Sequence, residues 1–261
     1  MLGADSKGAI APIWHSRAPR NDEDRSTMIP ISDDNPARGP AIVNWTIIAL
    51  CVAAFIWEVR LGERMDAALL VLGFTPAALL GHPSPSHGFV HLPPFATILT
   101  SMFLHGGWLH LAGNMLYLWI FGNNAEDAMG HVKYGLFYLI CGTAAALTLA
   151  YMDPTSRLPM IGASGAISGV LAAYVLLYPR AKVTVVVPLG IIFYPLAISA
   201  VWVVGLWFLM QLVSAWLIDP AQPGVAWWAH VGGFVTGLVL TPLFKSRDVP
   251  LFGRLPRGPW G

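Results

Sequence analysis

Apolar residues in this chain come in long runs. The first extends from about Ala41 to Val59, and others cover 108–124, 132–151, 163–178, 196–217 and 227–244. At 1.5 Å per residue such runs cross, or nearly cross, a hydrocarbon layer about 30 Å thick. The pattern predicts an all-α membrane protein, a six-transmembrane-helix bundle. Its membrane domain spans 41–245, with a disordered polar tail over 1–40 and a second tail over 246–261. The long outer loop between helices 1 and 2, residues 60–107, is too apolar for a plain loop and too broken by Gly and Pro to span. It predicts short helices on or dipping into the bilayer surface. The β-branched stretch from Lys182 to Pro195, punctuated by Pro188 and Pro195, predicts an interfacial loop before the fifth helix.

Composition agrees with the pattern. Of 261 residues, 56% are hydrophobic and 11% charged, with a mean hydropathy of +0.61. A soluble domain carries about 25% charged residues. A net charge of +1 argues against nucleic acid as a partner. Cys51 and Cys141 lie inside apolar runs and read as small hydrophobic fillers, not as a disulfide or thiolate metal site. His82, His87 and His91 are too irregularly spaced to specify a metal. No apolar core follows the early basic residues, so the start of the chain is not read as a cleavable signal peptide. Positive charge sets the orientation. With both termini cytoplasmic, only Arg60, Arg64 and Arg157 of the 15 Lys and Arg fall outside.

Polar residues inside spans are costly and suggest function. Helix two carries His110 and Asn114, helix four Ser164, and helix six His230. Counted from the inner boundary, Ser164 and His230 stand at roughly 22 Å, His110 at roughly 24 Å and Asn114 at about 18 Å. The four share one layer below the outer surface. Faces agree as well. His110 and Asn114 are i, i+4 on one side of helix two. Gly162, Gly165 and Gly169 leave helix four almost bare, and Gly233 and Gly237 continue a seam below His230. Pressing the two seams together brings backbones into contact and sets Ser164 beside His230.

A serine hydroxyl needs a base to become a nucleophile, and His230 is the histidine placed to act as one. His110, Asn114 and the Ser164 N–H, at a helix start, are donors for an oxyanion. No carboxylate in the spans stands near His230, so the expectation is a Ser–His dyad. Plainer readings exist for each part alone: a packing helix, a buried histidine bonded to a carbonyl, an interhelical polar clamp. His105 reads either as a tie between its loop and the site or as an interfacial histidine. Asp219–Val225, with Pro220, Pro223 and Gly224, lies over the layer and predicts a mobile cap.

These motifs resemble those of the rhomboid intramembrane serine proteases. Gly162-Ala163-Ser164-Gly165 fits G-x-S-G, Ala229-His230 with Gly233 and Gly237 fits A-H-x-x-G-x-x-x-G, and His110 with Asn114 fits H-x-x-x-N. Glu126 and Gly130 match too, and the similarity runs from about Asn44 to Phe244. The resemblance implies peptide cleavage in or beside single-span membrane protein substrates, without metal or nucleotide cofactor. It implies Ser164 as nucleophile, His230 as general base, and His110 and Asn114 as oxyanion donors. The plain six-span core is most like bacterial members, which implies the bacterial inner membrane. Two places depart from the family's pattern. Ala96-Thr97 stands near the site of a common Trp-Arg pair. Ser168 stands where an aromatic often stacks on the histidine, so the imidazole needs support from elsewhere. The rival classes are a catalytically inactive rhomboid-like client-binding protein and a small transporter with a polar path through the membrane.

Overall fold

The computed structural model describes residues 29–35, 37, 39–82, 92–189, 192–218 and 225–253. The chain begins there with strand β1 (Ile29–Asp33). Helix α1 (Ile42–Arg60) follows, then three short helices, α2 (Met65–Leu72), α3 (Pro76–Leu79) and α4 (Pro94–Ser101). Next come α5 (Trp108–Tyr117), α6 (Asn123–Met129), α7 (His131–Met152) and α8 (Ser164–Leu177). A hairpin of β2 (Lys182–Leu189) and β3 (Ile192–Ser199) leads into α9 (Ala200–Leu217), and α10 (Trp227–Phe244) completes the bundle. Among the described residues four helices are long and apolar enough to cross a membrane: α1, α7, α9 and α10.

The centre of the bundle is α8. It is only 14 residues long, yet all but three of them are buried. A helix apolar on every side belongs inside a bundle, and α7 and α10 flank this one. Between α8 and α10 the contact is backbone to backbone. A Cβ on Gly233 would overlap the Gly165 carbonyl oxygen, and one on Gly237 would stand 2.5 Å from the Gly169 oxygen. The glycines of α8 also serve a second neighbour. Added Cβ atoms at Gly165 and Gly169 would meet Ala145 Cβ at 2.7 Å and Cys141 Sγ at 2.5 Å, both on α7. Cys51 and Cys141 are fully buried and unpaired.

Helix two differs from a plain span over 108–124. It continues to Met129 and is widened into a π turn over Leu118–Gly122. The cause is Asn44 of α1. Its amide nitrogen donates to the Leu118 carbonyl at 3.0 Å, and its side chain fills the space where Gly122 lacks a Cβ. A polar side chain inserted into the helical ladder is a known origin of such bulges. The Asn44 carbonyl accepts from the Tyr134 hydroxyl at 2.8 Å. Glu126 then caps α1, accepting from the N–H groups of Val43 (2.9 Å) and Asn44 (2.7 Å). A carboxylate at a helix start is favoured by the dipole.

The all-α expectation needs one correction. The 182–195 stretch is not an irregular loop: β2 and β3 pair antiparallel, and β1 joins β2 to make a three-stranded sheet in the order β1-β2-β3. Consecutive β-branched residues favour an extended, half-buried surface. Val183 and Val185 are wholly buried on one face. The fifth helix consequently starts at Ala200, not at 196. Strand β1 also lies within the 1–40 tail expected to be disordered; residues 1–28 are outside the described residues. What holds it is Asp33. Its Oδ2 accepts from the Tyr174 hydroxyl of α8 at 2.5 Å and from the Asn124 amide of α6 at 3.0 Å.

Two predictions follow from this packing. Gly233→Val should destabilise the bundle by about 1–3 kcal/mol, as overpacking does. Gly205→Ala on α9, where a Cβ meets nothing within 4 Å, should leave thermal unfolding in detergent essentially unchanged. Equal melting temperatures for the two variants would refute the close-contact account. The second concerns Asp33. Burial raises its carboxyl from 3.8 to about 6, with the Tyr174 bond opposing and Asp34 adding to the rise. The folded state then holds the proton more tightly than the unfolded one, so the contribution is fullest below pH 3.8 and is lost as pH rises through 6. Hydrogen exchange in β1 should therefore quicken between pH 5 and 7, beyond the intrinsic rate change, and Asp33→Asn should flatten that excess.

Candidate active site

Ser164 is the first residue of α8, and the backbone before it is shaped by Gly162. That glycine has φ +117°, which side chains rarely adopt, and its N–H donates to the Ser101 carbonyl at 2.8 Å. The turn thus hangs on the segment between α1 and α5. The described part of that segment contains the short helices α2, α3 and α4 and is pinned further by Thr100 Oγ1 donating to Leu72 O at 2.5 Å.

His230 is the fourth residue of α10. Its Nε2 lies 2.8 Å from Ser164 Oγ, across 66 positions of sequence. Its Nδ1 lies 2.6 Å from Gln211 Oε1 on α9. An amide oxygen only accepts, so Nδ1 carries the proton and Nε2 presents its lone pair to the serine O–H. The ring is buried, 8% exposed, while Ser164 is half-buried. Sequence reasoning missed Gln211, because an amide in a span carries no motif. It also missed the aromatic support. Trp207 of α9 tilts against the imidazole at 6.0 Å between ring centres, and Trp227 meets it edge-on at 6.4 Å. Ser168, four after the serine, instead donates back to the Ser164 carbonyl at 2.7 Å. Among the described residues no carboxylate hydrogen-bonds His230.

His110 and Asn114 converge on the other side of the serine turn. A Cβ on Gly162 would meet His110 Nε2 at 2.7 Å and Asn114 Nδ2 at 3.6 Å. His110 Nδ1 accepts from the Gly106 N–H at 3.4 Å, a long bond that leaves the proton on Nε2. Asn114 Nδ2 is buried and makes no hydrogen bond among the described residues. An unused amide donor in such a place is expensive. Two N–H groups therefore stand beside the Gly162 turn that leads into Ser164, at the positive end of the α8 dipole.

His105 is not exposed. It is completely buried, its N–H faces the Glu58 carboxylate at 3.2 Å and its ring lies 5.2 Å from that of His110. The tie between its loop and the site is the reading that fits. His82 is exposed; His87 and His91 lie outside the described residues, as does 219–224, nearly all of the expected cap. Among the described residues no cluster of three metal-binding side chains occurs.

Comparison with known proteins matches residues 94–247 to the family model described as the Rhomboid domain. Rhomboid protease AarA of Providencia stuartii is 32% identical over 231 residues, covering 81% of this chain and 76% of that protein. RHOMBOID-like protein 4 of Arabidopsis thaliana is 34% identical over 143 residues, which is 55% of this chain and 32% of the relative. Inactive rhomboid protein 1 of Drosophila melanogaster shares 35% identity over 80 residues, 31% of this chain and 6% of that protein. On the extent of the domain match and the breadth of the AarA alignment, the chain belongs to the rhomboid family of membrane proteins.

Proposed function

We propose that the chain is an intramembrane serine endopeptidase that cleaves single-span membrane proteins within or next to their transmembrane segment. The observation that carries this reading is the 2.8 Å contact between Ser164 Oγ and His230 Nε2. In the reaction, Ser164 Oγ attacks the scissile carbonyl carbon as its proton passes to His230 Nε2. The carbonyl oxygen takes up the electron pair and is held by His110 Nε2–H, Asn114 Nδ2–H and the Ser164 N–H. Collapse of this adduct breaks the C–N bond, and the imidazolium returns its proton to the leaving amine. Water, activated by the same imidazole, then releases the acyl group from the serine. No charged residue has to be buried beside the imidazole for these steps.

The same reading assigns six spans: α1, the joined α5–α6, α7, α8, α9 and α10. The short α8, about 21 Å long, then starts below the outer surface, leaving a water-reachable hollow above Ser164. The distribution of Lys and Arg supports both termini in the cytoplasm, in a bacterial inner membrane. An inactive relative is free to lose the serine or the imidazole; this chain keeps both in contact, which favours the protease.

Labelling with a serine-directed fluorophosphonate in detergent tests the pair. Wild type should label at Ser164, while Ser164→Ala and His230→Ala should neither label nor cleave a single-span reporter. Cleavage surviving in Ser164→Ala would end the proposal. Separately, Asn114→Ala should lower kcat by about 10²–10³ with thermal stability kept, since its amide nitrogen bonds nothing in the resting site. An unchanged kcat would remove Asn114 from the oxyanion role.

A further inference from the structure

We propose that Gln211 is a positioning residue for His230, an uncharged acceptor carried on α9 that sets the imidazole tautomer. The inference rests on the protease reading above and deepens it. Helix α9 turns most of its surface outward: Trp202, Leu209, Trp216 and Leu217 are all more than half exposed. Only Ala200, Val204, Gln211 and Ala215 are buried on it. The one polar member of that set, 6% exposed, spends its carbonyl on His230 Nδ1 at 2.6 Å. A buried amide without that partner would be costly in an apolar setting, so the bond holds both groups.

The chemistry needs such a group. Without an acceptor at Nδ1 the proton is free to sit on either ring nitrogen, and only the Nδ1–H form leaves Nε2 able to take the serine proton. When that transfer makes an imidazolium, the Gln211 carbonyl dipole faces its Nδ1–H. A carboxylate would do this more strongly, but at a larger desolvation cost. Trp207 lies i−4 from Gln211, on the same face of α9, and its ring rests on the same imidazole. One helix face thus supplies both the acceptor and the aromatic contact, where Ser168 offers neither.

The other groups around His230 are Ser164 from α8, Trp227 on α10 itself and His110 from α5, the last acting electrostatically. Reporter cleavage by the full chain in detergent separates the possibilities. Gln211→Leu should lower kcat roughly 10- to 100-fold with KM within about twofold, a milder loss than removing a charged orienting group. Gln211→Glu should recover most of that kcat. Its carboxylate should also move the acid limb of the pH–kcat/KM profile upward by about one unit, because an adjacent anion favours the protonated imidazole. Wild-type kcat in Gln211→Leu would overturn the inference. So would equal losses in both variants with the acid limb unmoved, which is the signature of packing alone. If Gln211→Leu fails to fold, the limb of Gln211→Glu decides by itself. Ser164→Ala serves as the reference. Cleavage persisting there sinks the protease reading, whereas its loss beside wild-type behaviour at 211 sinks only this inference.

Discussion

The separation of α8 and α10 governs everything else in the molecule. Lipid tails are as apolar as leucine, so no hydrophobic force presses two helices together inside a bilayer. Close packing must do it, and here the packing is between main chains. The Gly165 and Gly169 carbonyls lie against Gly233 and Gly237. With any side chain in that seam the helices stand further apart, and a hydroxyl and an imidazole at its upper end no longer meet. The Ser164–His230 contact is a consequence of four missing Cβ atoms more than of any attraction between serine and histidine.

Several polar groups inside the bundle are spent on hydrogen-bond partners within the fold. Asn44 bonds the Leu118 carbonyl and the Tyr134 hydroxyl, Glu126 takes two N–H groups of α1, and Thr241 returns its hydroxyl to the Gly237 carbonyl at 2.6 Å. In a low-dielectric interior every such group needs a partner. The Asn114 amide nitrogen is one of five buried side-chain polar atoms without a partner among the described residues, and it lies beside the serine turn. In the proposed reaction such a donor would already face the place where charge develops, which is preorganisation.

The site is assembled from pieces that differ in burial. Ser164, His230 and the glycine seam belong to the buried centre. The turn at Gly162 is held by Ser101, and Ser101 belongs to the short helices after α1. Support for the imidazole comes from α9, whose surface is largely exposed and which is entered directly from strand β3. The geometry of the reactive pair therefore depends on elements outside the three helices that carry the motifs.

How much of this could be read from the residues alone differs by element. The apolar runs located α1, α7, α8 and α10 to within a residue or two, because length and composition govern which segments lie in lipid. Residue count from the inner boundary led to the expectation of one layer for His110, Asn114, Ser164 and His230, and the glycine spacing pointed to the seam that joins two of them. The π turn, strand β1, the hairpin and Gln211 lay beyond such reading. Apart from the hairpin, whose two strands are neighbours in the chain, each depends on a partner distant in sequence: Asn44 across from Leu118, Tyr174 across from Asp33, His230 across from Gln211. Local pattern records what a segment must avoid, namely water or lipid. Which polar group finally satisfies which is decided only when the helices pack, because a hydrogen bond is short and directional while burial is neither.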